Sequence, residues 1–170
     1  PSYTADETGK TKVGFVGPYV AASGYEVVMG LGPSFKDYSP KMFALRAFDV
    51  QGEPPLKNTF RKNGIDLIVP EQDDHTVQIY DVFVLRKLML ENPVDIAIWP
   101  LPPFHMFFLF SFGLAKKQVW FSNYLRSNLK FKHLDGLLTP GGAGTLAKKN
   151  YNNREWNILP QIAYIEGLYD

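Results

Sequence analysis

Three histidines, one acidic stretch, one basic stretch and two glycine-rich turns are the places where this sequence could do chemistry. The histidines are His75, His105 and His133. No two of them stand at the spacing of a metal-binding pair, and no HExxH occurs, so no metal centre is expected. His105 follows Pro102, Pro103 and Phe104 at the exit of an apolar run. An imidazole there can act as a general base or hydrogen-bond a substrate. It can equally cap the start of a helix, which needs no ligand. His133 lies in KFKHLD, a surface loop by composition. Glu71-Gln72-Asp73-Asp74 could hold a metal ion or sugar hydroxyls, yet Asp73 and Asp74 are also the residues that cap a helix. Arg126 with Lys130 and Lys132 makes a modest basic patch, which reads as a solvated face.

The glycines exclude more than they suggest. Gly14, Gly17 and Gly24 do not form GxGxxG, and Pro18 lacks an amide that a phosphate could use, so dinucleotide binding is not expected. The small residues Ala21, Ala22, Ser23 and Gly24 would let a substrate approach the backbone, or they simply make a tight turn. PGGAGT, Pro140 to Thr145, lacks the Lys-Ser/Thr pair of a phosphate-binding P-loop. No serine sits in GxSxG, and no nucleophile–base pair is evident.

Positioning any of these residues falls to one domain of 170 residues, 45% hydrophobic, 21% charged and 15% aromatic. A net charge of +1 gives no electrostatic case for nucleic acid. With no Cys, disulfides, thiolate metal sites and cysteine nucleophiles are excluded, and a reducing compartment such as the cytoplasm suits the chain. Residues 1–11 read as a flexible, polar lead without the apolar core of a signal peptide, followed by one domain over 12–170. The most apolar run, Ile96 to Ala115, is broken by Pro100, Pro102, Pro103 and His105. Its uninterrupted part, Met106 to Phe112, falls well short of the roughly 20 residues of a membrane span.

Short apolar runs predict strands at Lys12–Gly17, Lys41–Val50, Ile65–Val69, Val94–Trp99, Lys117–Phe121 and Leu134–Leu138, several of them closed by proline. Leu56–Asn63 reads as a short basic helix or loop. Thr76–Glu91 predicts the clearest helix, with Val77, Tyr80, Val84 and Leu88 at helical spacing and Asn92-Pro93 as its stop. Phe104–Leu114 predicts an apolar helix ending near Gly113. From Ala143 the chain is polar until Ile158–Ile165, an apolar segment of unassigned type. Strands alternating with helices imply an α/β, Rossmann-like three-layer domain with a mostly parallel sheet. In such sheets ligands bind outside the carboxyl ends of the strands. That directs attention to the loops Gly17–Tyr25, Gly52–Pro55, Pro70–His75, Pro100–His105 and Ser122–Arg126.

Three segments together resemble the opening of the catalytic region of family 41 glycosyltransferases, the O-linked N-acetylglucosamine transferases and bacterial adhesin N-glucosyltransferases. They are KVGFVGPYVAASGYEVVMGLGPSFKDYSPKMFALRAFDV from Lys12, ENPVDIAIWP from Glu91, and FGLAKKQVWFSNYLRSNLKFKHLDGLLTPG from Phe112. In the last, Leu114-Ala115, Gln118-Val119, Tyr124, Ser127 and Leu134-Asp135 to Thr139 stand at matching places, and REWNILPQIAYIEGLYD falls where the family continues toward its second lobe. The family's loop histidine has its matching place near Ser23, and its small-residue substrate loop becomes Asn123-Tyr124-Leu125-Arg126-Ser127.

The resemblance implies the single, acceptor-side, N-terminal half of a GT-B fold, with the donor-binding C-terminal half outside these 170 residues. It implies a cytoplasmic hexosyltransferase domain that is inactive alone and acts on a protein or glycan acceptor. The nucleotide sugar would be its substrate, with no resident cofactor. Substrate contacts would come from Ser23, Gly24, His105, Asn123, Tyr124 and Arg126, with His105 or Tyr124 bonding the acceptor and Arg126 a diphosphate or acidic group. No catalytic residue is assigned. The alternative is a non-catalytic α/β module that binds a ligand or a partner protein.

Overall fold

A computed structural model describes residues 9–20, 38–47, 56–70, 81–100, 109–121, 131–142, 147–151 and 153–160. Its centre is one eight-stranded sheet. The strands are β1 (Thr11–Val20), β2 (Tyr38–Ala47), β3 (Asp66–Ile68), β4 (Val94–Pro100), β5 (Ala115–Phe121), β6 (Gly136–Gly142), β7 (Ala147–Tyr151) and β8 (Arg154–Pro160). Across the sheet they run β3-β2-β1-β4-β5-β6-β8-β7. Every neighbouring pair is parallel except β7 with β8. The two described helices are α1 (Leu56–Lys62) and α2 (Asp81–Glu91). The expected α/β domain with a mostly parallel sheet is present, although few helices lie among the described residues. No described helix is long and apolar enough to cross a membrane.

Alternation along each strand builds two cores. On one face Val16, Phe43, Leu45, Ala97, Trp99, Trp120, Leu137 and Trp156 pack with Val82, Leu85 and Met89 of α2 and with Leu109 and Phe110. On the other, Val13, Phe15, Met42 and Ala44 pack with Phe60 of α1 and Ile65. The helices thus lie on opposite faces. Gly14 makes the centre possible, because a Cβ there would stand 2.9 Å from the Phe43 ring and 3.1 Å from Val94.

Several predicted boundaries move, and proline explains most of them. β1 does not stop at Gly17 but runs through Pro18 to Val20. Gly17 pairs with Ala44 and Tyr19 with Arg46, with no pair at Pro18, so the ladder skips the residue that lacks an N–H and resumes. β4 includes Pro100. The strand expected at Leu134–Leu138 is Gly136–Gly142 and passes through Pro140, with a register irregularity between Pro140 and Gly142. The predicted helix over 76–91 is described from Asp81, and the predicted helix over 104–114 is described only from Leu109, where it is one 3-10 turn, Leu109–Phe112.

The polar stretch after Ala143 holds the strands that composition hid. β7 and β8 form an antiparallel hairpin in which Tyr151 faces Arg154 across a two-residue turn. Asn153 holds a φ of 59°, the left-handed conformation such turns require and asparagine tolerates. Trp156 is the one described core residue of the hairpin.

Candidate functional site

The chain starts at β1, builds outward through β2 to β3, then crosses back to build β4, β5 and β6 on the other side. The direction reverses between β1 and β4, and ligands of open parallel sheets bind at the carboxyl ends beside such a reversal. Register shows what shape that edge has. Phe15 faces Ile98, so Gly17 is level with Pro100, the last residue of β4, while β1 continues to Val20 alongside β2. Pro100 faces Phe121, so β4 and β5 end level. Phe121 faces Leu138, and β6 continues to Gly142 alongside β8. The strand profile is therefore a notch. Its floor is the ends of β4 and β5, its walls are β1 with β2 and β6 with β8. Each wall rises roughly 10 Å above the floor and the walls stand about 14 Å apart, from the rise per residue and the strand spacing.

The six predicted contact residues all follow strands of this notch. Ser23 and Gly24 follow the wall strand β1, His105 follows the floor strand β4, and Asn123, Tyr124 and Arg126 follow the floor strand β5. The residues themselves lie outside the described residues. So do Glu71 to His75. What is described is the scaffold on either side of them in the sequence.

The return legs are held by a residue that stood out in the sequence only for its place in the family resemblance. Gln118, in the middle of β5, is fully buried. Its Nε2 donates to the carbonyl oxygen of Phe110 at 3.1 Å and to that of His133 at 3.0 Å. Phe110 belongs to the turn that brings the chain back after 101–108, and His133 to the turn that brings it back after 122–130. One amide thus ties both loops' returning ends to the strand between them. The rings of Phe110 and Phe131 meet at 5.5 Å, and Phe110 stands edge-on to Trp99 at 5.1 Å. Asp135 completes the junction: its Oδ2 accepts from the Gln118 N–H at 2.8 Å, its own N–H donates to the Gln118 carbonyl at 2.8 Å, and Lys117 Nζ donates to its Oδ1 at 3.1 Å. Gly113, at φ 55°, lets the His133 ring come close; a Cβ there would be 3.2 Å from Nδ1. The available signal was Gln118 two residues before Trp120, a polar side chain on the buried face of a strand.

The floor is apolar. Among the described residues neither 98–100 nor 119–121 includes a charged side chain. Charge gathers instead at the opposite, amino ends of the strands. Lys116 Nζ meets Asp95 at 2.6 Å, and the Lys12 N–H donates to Asp95 Oδ2 at 2.9 Å. Burial raises the Asp95 pKa, but the hydrogen bonds from Lys116 and Lys12 and their positive charges together outweigh it and hold the carboxyl below its ordinary 3.8. A depressed folded-state pKa contributes stability that is present above the ordinary value and is lost as pH falls through the lower one. Asp95→Asn is accordingly expected to flatten the acid limb. Between about pH 5 and about pH 3 the urea midpoint should fall more for the unmodified chain than for the variant. Equal slopes would contradict the assignment.

No group of three or more His, Asp or Glu among the described residues could hold a metal ion. Compared with models of known protein families, the sequence matches none. Compared with curated proteins, it likewise gives no match.

Proposed function

We propose that this chain is the acceptor-side, N-terminal half of a nucleotide-sugar-dependent glycosyltransferase of GT-B type, acting in the cytoplasm. The observation that carries the reading is the notch: floor strands β4 and β5 end level at the topological reversal, between walls that overhang them. A second α/β half closing over that edge would exclude water and orient donor and acceptor, which is how such enzymes lower the barrier without a resident cofactor. In this reading the apolar floor packs under the acceptor, and polar contacts come from the loops. His105 or Tyr124 hydrogen-bonds the acceptor, Asn123 adds an amide, and Arg126 meets the diphosphate or an acidic group. Ser23 and Gly24 leave the backbone approachable.

A second reading, a non-catalytic α/β module for a ligand or partner protein, is favoured by the absence of any charged side chain on the described floor. One experiment separates them. The 170-residue chain and the full product of its gene are assayed for transfer of labelled hexose from uridine and guanosine diphospho-sugars to protein acceptors. The isolated chain is expected to be inactive and the full product active. Arg126→Ala in the full product should lower transfer about a hundredfold, the scale of losing one preorganised donor to developing charge. Transfer by the isolated chain, or none by a folded full product, would overturn the proposal.

A further inference from the structure

We propose that β7 is a docking edge for an extended acidic peptide segment of another protein, which adds to the sheet as a ninth strand. The proposal does not depend on the transferase reading. Among the described residues β7 is the last strand of the sheet and pairs only with β8. All five of its residues, Ala147, Lys148, Lys149, Asn150 and Tyr151, are exposed. Among the described residues no hydrogen bond reaches its outer side. In an antiparallel pair alternate residues point their N–H and C=O groups away from the partner, so an outer row of backbone donors and acceptors is left for another strand.

The charge on the strand selects the occupant. β7 carries Lys148 and Lys149 and no acidic residue. Lys148 is engaged across the hairpin by Glu155 at 2.8 Å, whereas Lys149 makes no ion pair among the described residues. Lys149 faces Trp156, so its ammonium projects on the side of the sheet that holds the larger core. A second copy of this chain is the wrong partner. Antiparallel pairing of β7 with itself, centred on the strand, would set Lys149 against Lys149, a like-charge contact across a directly opposed pair. An extended segment carrying Glu or Asp at alternate positions turns that repulsion into attraction while making the same main-chain bonds, the mode of recognition in which backbone pairing gives affinity and alternate side chains give specificity.

The probes are two fluorescein-labelled hexapeptides, Ac-(Val-Glu)3 and Ac-(Val-Lys)3, titrated against the 170-residue chain by anisotropy. Amide exchange locates the contact. The acidic peptide is expected to bind, the basic one not, with new protection confined to residues 147–151. Binding should weaken as salt is raised. Lys149→Glu should lower affinity for the acidic peptide at least about threefold and Lys149→Gln less, the scale of exposed charge pairs. Both variants alter an exposed side chain, and an unchanged circular dichroism spectrum checks the fold. Equal binding of the two peptides, protection elsewhere, or no binding would overturn the proposal. So would a concentration-dependent dimer protecting 147–151 without peptide, since the occupant would then be a second copy.

Discussion

Replacing Gln118 with leucine is expected to destabilise the domain by roughly 2–4 kcal/mol. Leucine fills much of the same space, so the loss is chiefly polar. The Phe110 and His133 carbonyl oxygens both accept from Nε2, one in a buried and one in a half-buried setting, and each would lose that bond. Leaving a buried acceptor unsatisfied costs about 1–3 kcal/mol, more than the net value of the bond itself. Part of the loss is returned, because Gln118 Oε1 is itself buried without a hydrogen-bond partner among the described residues and leucine removes it. Gln118→Glu should be worse than Gln118→Leu at neutral pH. An ionised carboxylate donates nothing and would face two carbonyl oxygens in an apolar setting. Urea denaturation measures the stability, and amide exchange over 109–114 and 131–135 measures whether the two return legs loosen together. A loss below about 0.5 kcal/mol, within the range of an ordinary surface substitution, would show that the amide holds neither leg.

Trp99→Ala should cost more, about 3–5 kcal/mol, the range for emptying a large aromatic site in a core. Trp99 is fully buried one residue before the end of β4, beside Phe110 and opposite Trp120 in the register. Removing it opens a cavity directly beneath the notch floor. Trp99→Phe is the instructive control. The Trp99 Nε1 is buried with no hydrogen-bond partner among the described residues, so phenylalanine gives up ring area but also discards an unsatisfied donor. Its cost should stay well below that of the alanine variant, about 1–2 kcal/mol, because only part of the ring volume is lost. Circular dichroism in urea reads both variants. Equal losses for the two would mean that the indole N–H is bonded after all and that polarity, not volume, decides the site.

The sheet was legible in the sequence because its strands are short β-branched or aromatic runs, from KVGFVG to KKQVWF, separated by segments with a different period. Boundaries were harder wherever proline stood in a strand. Pro18 and Pro140 read as stops, yet both strands run through them, and the pairs on either side of Pro18 carry β1 onward; only at Pro100 does the strand end. The hairpin β7–β8 escaped because a strand exposed on both faces needs no apolar alternation. AKKNY has none, and Trp156 is the only described core residue it shares with its partner. The edge of the sheet at which to look for a site was legible from the alternation of strands with helices. Its shape was not, because the notch depends on how far each strand runs past its neighbour, which is a matter of register. Gln118 was hidden for a related reason: a single polar residue on a buried face acquires meaning only when the carbonyls it meets, 8 and 15 residues away, are brought to it.

The three tryptophans have a consequence for watching this protein. Trp99, Trp120 and Trp156 are the only ones in the chain, and all three are buried in the core on the α2 side of the sheet. Trp120 and Trp156 lie 5.9 Å apart, centroid to centroid, close enough to exchange excitation. The tryptophan emission of the molecule therefore comes entirely from one side of the sheet. The core on the α1 side, with Phe15, Phe43's neighbour Met42 and Phe60, is dark in that channel. A spectral change on adding a ligand would speak for the one side, and a silent spectrum would leave the other unexamined.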